Sequence, residues 1–240
     1  MVAALNTSSS SHFLRHYAAE DGLPRAVPHC AEDVSELFIK ICGLRTAEDV
    51  DAAVAAGADA VGFVFAHSPR RVDAATAREL AARAGDRVLT VGVFRGQPLE
   101  EVRELAAASG IRAVQLHGDE GAEYYEALRP EGYTLVRATA PAPEQPESCG
   151  ALGEDLLLLD APAPGAGKPW DWSDPRFVPP AGRWVLAGGL DAGNVGRAVR
   201  TLAPWGVDVS SGVEVRRGVK DPAMITEFVR AAREASAASA

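Results

Sequence analysis

The first strand-like segment of the chain reads Phe38-Ile39-Lys40-Ile41-Cys42-Gly43. Side chains alternate along a strand with a period of two, so Ile39 and Ile41 share one face. Lys40 and Cys42 share the other face. We expect the apolar face to pack against helices, because isoleucine is a core residue. Lys40 and Cys42 then point toward the interior of the fold, with Cys42 at the carboxyl end of the strand.

This segment opens a repeat in which a short apolar strand ends at a polar or glycine cluster and a helix often follows. The predicted strands are Leu37–Cys42, Asp59–Phe65, Val88–Phe94, Ala113–His117, Thr134–Ala138, Asp155–Asp160, Trp184–Gly188 and Val207–Ser210. The clearest predicted helices are Ala47–Ala56, Asp73–Ala84, Leu99–Ser109, Ala192–Leu202 and Pro222–Ala235. Such alternation predicts parallel strands closed into a single-domain α/β fold, the (β/α)8 TIM barrel. An open doubly wound sheet is the alternative, and no Gly-x-Gly-x-x-Gly follows the first strand to support it.

Three regions depart from the repeat. Residues 140–153 contain three prolines and leave room for only a short helix. Residues 161–182 are rich in proline and glycine and predict a long loop, which on a compact scaffold is usually functional or mobile. Residues 1–36 show no clean periodicity and no apolar signal-peptide core, so we predict a partly disordered extension with one short helix near 31–37. The catalytic barrel is assigned to residues 37–240.

Composition limits the classes of partner. The 240 residues carry a formal net charge of −9 with no basic run, which disfavours nucleic acid and anionic membranes. No apolar stretch approaches the ~20 residues of a membrane span. The three cysteines show no metal-ligand spacing and are too few for a disulfide framework. We therefore predict no metal site and a reducing, cytoplasmic location.

Two strand ends carry candidates for acid–base chemistry, because barrel enzymes gather their active sites at the carboxyl ends of the strands. A cation such as Lys40 beside Cys42 favours a thiolate. Alternatively, Cys42 is a small buried hydrophobe and Lys40 belongs to an ion pair at the strand bottom. Asp160 ends the apolar run Leu156–Leu159, where desolvation can keep a carboxyl protonated. Its alternative role is a loop-starting Asx turn.

Further polar residues lie near the ends of the fourth and eighth strands. Gln115 and His117 share one face, and His117 is a candidate to bind a substrate hydroxyl or carboxylate. A hydrogen-bonded histidine behind the site is equally compatible with the pattern. Asp208 points inward between two outward valines. Its alternative role is an ion pair inside the barrel, for which Lys40 is a candidate partner.

Glycine and serine clusters follow the seventh and eighth strands, where barrels frequently bind phosphate. The first contains Gly188 and Gly189, and the second contains Ser211 and Gly212. Glycine lets the backbone approach an anion closely, and consecutive N–H groups can point at it. Each cluster alone is also a plain turn signal. The presence of both clusters after these two strands favours a phosphorylated small-molecule ligand.

An arginine pair follows the second strand in the segment Ser68-Pro69-Arg70-Arg71. Arginine can bind a carboxylate through two parallel hydrogen bonds. A solvated surface pair is the alternative, and the segment alone favours it.

Together these segments resemble the phosphoribosylanthranilate isomerases of tryptophan biosynthesis. They cover about residues 37–235 in the family's order, and the motifs Lys40-Ile-Cys-Gly43 and Asp208-Val-Ser-Ser-Gly-Val-Glu214 are specific when found together. The matching segments are Lys40-Ile-Cys-Gly-Leu44, Gly62-Phe-Val-Phe65, Ser68-Pro-Arg70, Val91-Gly-Val-Phe94, Val114-Gln-Leu-His-Gly118, Leu157-Leu-Leu-Asp160, Gly167-Lys168, Trp170-Asp-Trp172, Ala187-Gly-Gly-Leu190, Asn194-Val195, Val207-Asp-Val-Ser-Ser-Gly-Val-Glu214, Gly218 and Lys220-Asp221.

The resemblance implies a cofactor-free Amadori rearrangement of N-(5-phosphoribosyl)anthranilate by a monomer or homodimer. It makes Cys42 the general base and Asp160 the general acid, and it places Arg70 on the anthranilate carboxylate. The remaining residues that it assigns to the substrate are the sugar-side Gln115, His117 and Asp208 and the phosphate-side Gly188, Gly189, Ser211 and Gly212. The chain departs from the family at Arg45, where a threonine is usual, and in an eroded fifth helix.

Two rival functions follow from the same fold. The related histidine-pathway isomerases resemble barrels with two catalytic aspartates, whereas Cys42 stands at the first position here. A catalytically silent barrel that senses a phosphorylated metabolite is a different class, and the presence of both Cys42 and Asp160 argues against it.

Overall fold

The computed structural model describes residues 36–141, 148–161, 174 and 177–238. The predicted N-terminal extension before Glu36 and the matched segments around Gly167 and Trp170 lie outside these residues. The domain boundary at residue 37 therefore stays a prediction. Within the described part of the chain, no helix has the length and apolar character needed to cross a membrane.

Eight parallel strands pair in chain order and close into a barrel, because the first strand pairs with both the second and the eighth. They are β1 Phe38–Cys42, β2 Ala60–Val64, β3 Leu89–Phe94, β4 Ala113–Leu116, β5 Thr134–Thr139, β6 Leu156–Leu159, β7 Trp184–Leu186 and β8 Gly206–Val209. Each observed strand lies within its predicted segment or extends it by one residue. The predicted (β/α)8 barrel is confirmed.

Within the described residues, six α-helices surround the barrel: α1 Ala47–Ala56, α2 Ala74–Ala84, α3 Leu99–Ser109, α4 Ala122–Leu128, α5 Val195–Leu202 and α6 Pro222–Ala237. The sequence pattern missed α4, which is short and begins without a side-chain cap. It also began α5 too early, because the Asp191 side chain accepts from the N–H groups of Gly193 and Asn194 and forms a turn first. The described residues between β5 and β6 contain no helix, and residues 142–147, where a short helix was possible, lie outside them.

A hairpin that the sequence analysis did not predict follows β8. It consists of β9 Glu214–Arg216 and β10 Val219–Lys220, and it turns at Gly218, whose φ is 80°. A positive φ of this kind strains any side-chain-bearing residue, so glycine suits the turn. The hairpin brings the end of the eighth repeat over the mouth of the barrel, beside the loop that follows β2.

The period-two pattern correctly separates the two apolar layers. Ile39 and Ile41 are fully buried in the layer between strands and helices. Phe38, on the opposite face, packs with alanine, valine and leucine side chains inside the barrel. Burial of such side chains contributes about 25 cal/mol for each Å² removed from water. This packed apolar interior fills the barrel below the level of Lys40 and Asp208, and the inward-facing polar side chains of β1 and β8 lie above it.

Candidate active site

Cys42 occupies the carboxyl end of β1 and faces the interior. Its side chain packs with Val64 and Val93, and the residue is 7% exposed. Gly62 stands opposite it on β2, and a Cβ there would lie 2.9 Å from the Cys42 Sγ. Glycine on the neighbouring strand therefore leaves the space that the thiol fills. Cys42 is a free thiol.

Lys40 and Asp208 form a buried ion pair inside the barrel. The Lys40 Nζ lies 2.9 Å from Asp208 Oδ1, and the β1–β8 register places the two residues directly opposite each other. Burial by itself lowers the pKa of Lys40, but the charges of Asp208 and Cys42 outweigh that effect and raise it above its usual range. The ion-pair alternative is therefore confirmed for both residues, and Lys40 remains charged.

The pKa of the Cys42 thiol is raised above its ordinary value. Burial is the main cause and the Asp208 charge adds to it, while Lys40 and Lys220 act in the opposite direction. The expectation that Lys40 makes Cys42 a ready thiolate is therefore wrong. The physical reason is that Lys40 shares its charge with Asp208, so too little remains to offset the desolvation of a sulfur anion.

Asp160 follows β6 directly and is 9% exposed. Burial, reinforced by the negative charge of Asp208, raises the pKa of Asp160 to about 6. The Ala161 N–H donates to Asp160 Oδ1 over 2.7 Å and opposes that rise. The carboxyl therefore titrates close to neutrality, as the sequence analysis expected of a desolvated acid. This bond comes from the next residue, whereas an Asx turn uses the N–H two residues on, and residue 162 lies outside the described part of the chain, so the Asx-turn alternative stays untested.

His117 connects Asp160 to β4. Its Nε2 lies 3.4 Å from Asp160 Oδ2, and its Nδ1 lies 3.4 Å from Gln115 Nε2. Burial, together with the charges of Lys40 and Arg95, lowers the pKa of His117 to about 4, so the imidazole is neutral near pH 7. Gln115 is 1% exposed, and its Oε1 has no hydrogen-bond partner within the described chain. A buried acceptor of this kind is suited to a ligand hydroxyl.

The two glycine clusters meet at the mouth of the barrel. A Cβ on Gly212 would lie 1.9 Å from the Leu190 carbonyl oxygen, so the loop after β8 packs directly on the loop after β7. Gly188 has a φ of 89°, and a Cβ there would lie 2.9 Å from Asp160 Oδ1. Ser211 opens a short 3-10 turn that ends at Val213. The clusters therefore form one backbone-rich surface beside Asp160, which suits the predicted phosphate site.

Arg70 is buried, which excludes the solvated-surface alternative for this residue, while Arg71 is exposed. The Arg70 guanidinium donates from Nε and Nη2 to Glu214 on β9, over 2.7 and 2.9 Å. The Lys220 Nζ donates to the same carboxylate over 2.8 Å. Burial raises the pKa of Glu214, but Arg70 and Lys220 outweigh that effect and bring it to about 2. The carboxylate is therefore ionised.

The sequence pattern did not assign a role to Glu214 or Lys220. The signal that could have found them is the pair of apolar–polar alternations on either side of Gly218, which is typical of a hairpin. Arg45, the departure from the family pattern, donates from Nη1 to the Gly218 carbonyl over 3.2 Å and so holds this hairpin from the β1 side. No group of three or more potential metal ligands occurs among the described residues.

These features define a (β/α)8-barrel enzyme whose ionisable side chains converge at the carboxyl ends of the strands, beside a glycine-rich backbone surface. A family model described as N-(5'-phosphoribosyl)anthranilate (PRA) isomerase matches residues 39–231. The chain belongs to this family.

Individual relatives agree with this assignment. The N-(5'-phosphoribosyl)anthranilate isomerase of Desulforudis audaxviator is 42% identical over 212 residues, covering 82% of this chain and 98% of the relative. The crystal structure of TrpF from Jonesia denitrificans is 43% identical with a TM-score of 0.74, over 83% of this chain and 98% of that one. A phosphoribosyl anthranilate isomerase solved with reduced 1-(o-carboxyphenylamino)-1-deoxyribulose 5-phosphate is 32% identical, with a TM-score of 0.68 over 82% and 99% of the two chains.

Proposed function

We propose that this protein converts N-(5-phosphoribosyl)anthranilate to 1-(2-carboxyphenylamino)-1-deoxyribulose 5-phosphate in tryptophan biosynthesis. The observation that carries the proposal is the placement of Cys42 and Asp160 at the ends of β1 and β6, both facing the mouth of one barrel. Membership of the isomerase family supports it. The reaction is an aldose–ketose isomerisation, and both of its chemical steps are proton transfers.

Asp160 is the general acid of the first step. Its protonated carboxyl donates to the furanose ring oxygen while the ring C–O bond breaks, and the lone pair of the anilino nitrogen, which keeps its N–H, forms the C=N bond of a protonated imine (iminium). A carboxyl whose pKa is about 6 retains a proton more readily than an ordinary aspartate does, so this side chain is suited to the task. The neutral His117 beside Asp160 adds no positive charge that would favour the carboxylate.

Cys42 is the general base of the second step. Its thiolate removes the C2′ proton of the iminium, the C–H electron pair forms the C1′=C2′ bond while the C=N pair returns to nitrogen to give a neutral enol amine, and tautomerisation of the enol yields the ketose. Because the pKa of Cys42 is raised, the thiol and the Asp160 carboxylate are the prevailing forms near neutral pH. The reactive form is the less populated one. In it, the single proton that the two groups carry between them lies on Asp160, and Cys42 is the thiolate. Each step moves protons between the substrate and these two groups, so the proposal invokes no cofactor.

The remaining assignments follow from charge and position. The phosphate binds the backbone surface of Gly188, Gly189, Ser211 and Gly212, where N–H groups suit an anion. The sugar hydroxyls meet Gln115, His117 and Asp208. Arg70 binds the anthranilate carboxylate. A cytoplasmic monomer or homodimer that binds neither nucleic acid nor membrane remains our prediction.

The test is an assay with N-(5-phosphoribosyl)anthranilate that follows the loss of its fluorescence. We expect saturable turnover by the wild-type chain and none by heat-denatured protein. Turnover of the histidine-pathway substrate alone would assign the chain to the related isomerases. Binding of either substrate without turnover would instead support the metabolite-sensing barrel.

A further inference from the structure

The Glu214 carboxylate accepts four hydrogen bonds, which together fix the orientation of its side chain. Its Oε1 accepts from Arg70 Nε over 2.7 Å and from Lys220 Nζ over 2.8 Å. Its Oε2 accepts from Arg70 Nη2 over 2.9 Å and from the Gly218 backbone N–H over 3.1 Å. The side chain is only 3% exposed. A carboxylate held in this way is a fixed anchor, because a rotation that satisfied one donor would abandon the others.

The guanidinium of Arg70 has two hydrogen-bonding edges, and Glu214 occupies one of them. The Nε–Nη2 edge faces Glu214, whereas Nη1 makes no hydrogen bond to any residue that the structure describes. The aliphatic part of Arg70 crosses Gly43, where a Cβ would lie 2.7 Å from Arg70 Cδ. Because the guanidinium is planar, anchoring one edge also fixes the direction of the free edge.

We propose that Glu214 is a positioning residue for substrate recognition, which holds Arg70 so that its free edge meets the carboxylate of the anthranilate group. This inference rests on the proposed function. Glu214 itself touches no substrate atom in this arrangement. It acts through Arg70, whose charge is felt by both Cys42 and Asp160 and which therefore stands at the reacting end of the site.

Lys220 makes the arrangement suitable for an anion. Glu214 alone would cancel the charge of Arg70, and a neutral pair attracts a carboxylate weakly. Lys220, with its side chain 1% exposed, restores one net positive charge to the cluster and is itself held by the Ser210 carbonyl over 2.7 Å. The Glu214 carboxylate thus orients Arg70, and the cluster still attracts the carboxylate of the anthranilate group.

The experiment compares two ligands on Glu214→Gln. One ligand is reduced 1-(o-carboxyphenylamino)-1-deoxyribulose 5-phosphate, and the other is the matching phenylamino compound, which lacks the carboxylate. Glutamine keeps the size of the side chain but places an NH₂ group against the Arg70 donors. Calorimetry should show the carboxylated ligand bound about tenfold more weakly than by wild type, with the second ligand changed less than about threefold.

Glu154→Gln is the matched control. Glu154 is also buried, and its Oε1 accepts from Arg137 Nε over 2.7 Å, but it precedes β6 at the opposite end of the barrel. We expect this variant to lose thermal stability and to bind both ligands as wild type does. Glu214→Asp, which keeps the charge on a shorter side chain, should weaken the carboxylated ligand less than Glu214→Gln does.

Two outcomes on Glu214→Gln would overturn the inference: equal weakening of both ligands, which indicates general damage to the site, or unchanged binding of both. If Glu214→Gln does not fold, the same criteria apply to Glu214→Asp. Failure of the underlying function is recognised separately on the wild-type protein. If wild type binds the two ligands equally well, Arg70 does not recognise the carboxylate. If wild type binds neither ligand, the proposed reaction is wrong.

Discussion

The Lys40 ammonium and the Asp208 carboxylate lie 2.9 Å apart where β1 meets β8, one residue layer below Cys42. Burial raises the pKa of Cys42, Lys40 acts in the opposite direction by stabilising the thiolate, and Asp208 adds to the effect of burial. The ion pair therefore influences the protonation of the proposed base, although burial has the larger effect. Since Asp208 also raises the pKa of Asp160, one carboxylate influences both members of the acid–base pair.

Asp208→Asn should lower the pKa of Cys42. The change removes a negative charge near the sulfur and frees the Lys40 charge to act on the thiolate. The measurement is the pH dependence of Cys42 alkylation by iodoacetamide, with Cys42→Ser as the blank for other cysteines. Asp59→Asn is the control, because Asp59 pairs with Arg233 at 2.8 Å beside the start of β2. A Cys42 pKa that stays the same or rises in Asp208→Asn would contradict this account.

The pH profile of kcat/KM should be bell-shaped, with Asp160 responsible for the acid limb and Cys42 for the alkaline limb. The active form needs one proton on the pair, located on Asp160. Activity should fall below about pH 6, where Asp160 and Cys42 are both protonated, and again at alkaline pH, where both are ionised. The limbs can be told apart by their temperature dependence, since carboxyl ionisation is nearly athermal and thiol ionisation is endothermic. An acid limb that shifts with temperature as a thiol does would reverse the assignment.

Cys42→Ser and Asp160→Asn should each reduce kcat by at least ~10²-fold with little change in substrate affinity. Serine is a much weaker acid than cysteine and forms no base near neutral pH, while asparagine cannot protonate the ring oxygen effectively. Stopped-flow and steady-state fluorescence give kcat and KM for both variants. Cys149→Ser is the control and should turn over like wild type. Near-full turnover by Cys42→Ser would make Asp208 the next candidate base.

Gly212→Ala should raise KM by at least ~10-fold, because its Cβ would lie 1.9 Å from the Leu190 carbonyl and force the two phosphate-side loops apart. Overpacking of this kind costs about 1–3 kcal/mol of stability, so thermal melting is measured beside KM and phosphate inhibition. Gly196→Ala on α5 is the control, because its nearest neighbour is the flexible end of Arg200 at 3.3 Å. An unchanged KM in Gly212→Ala would place the phosphate elsewhere.

Arg70→Ala should lower kcat/KM by about 10- to 100-fold, since a charge-assisted pair with a carboxylate contributes about 1.5–3 kcal/mol. Arg71→Ala should change it less than about threefold, because Arg71 is exposed. Steady-state assays of the two single variants provide the comparison. If Arg71→Ala has the larger effect, the neighbouring arginine binds the carboxylate.

The sequence by itself determined the barrel and the inward-facing residues. Alternating strands and helices are a local pattern, and the period of two along Phe38–Cys42 separates Ile39 from Lys40 whatever the rest of the chain does. The carboxyl-end placement of Cys42 and Asp160 follows equally from strand boundaries. The sequence pattern did not predict the short α4 or the hairpin at Gly218, because each has too few residues to produce a periodic signal.

Only the tertiary structure decided how the charged side chains are paired. Lys40 meets Asp208 across 168 positions of sequence, and Arg70 meets Glu214 across 144. Neither pair exists until β8 closes against β1 and the hairpin folds over the β2 loop. Burial inside that closed barrel then raises the pKa of Cys42 although Lys40 is near. Desolvation and ion pairing depend on every group within a few ångströms, and a linear pattern does not specify that set.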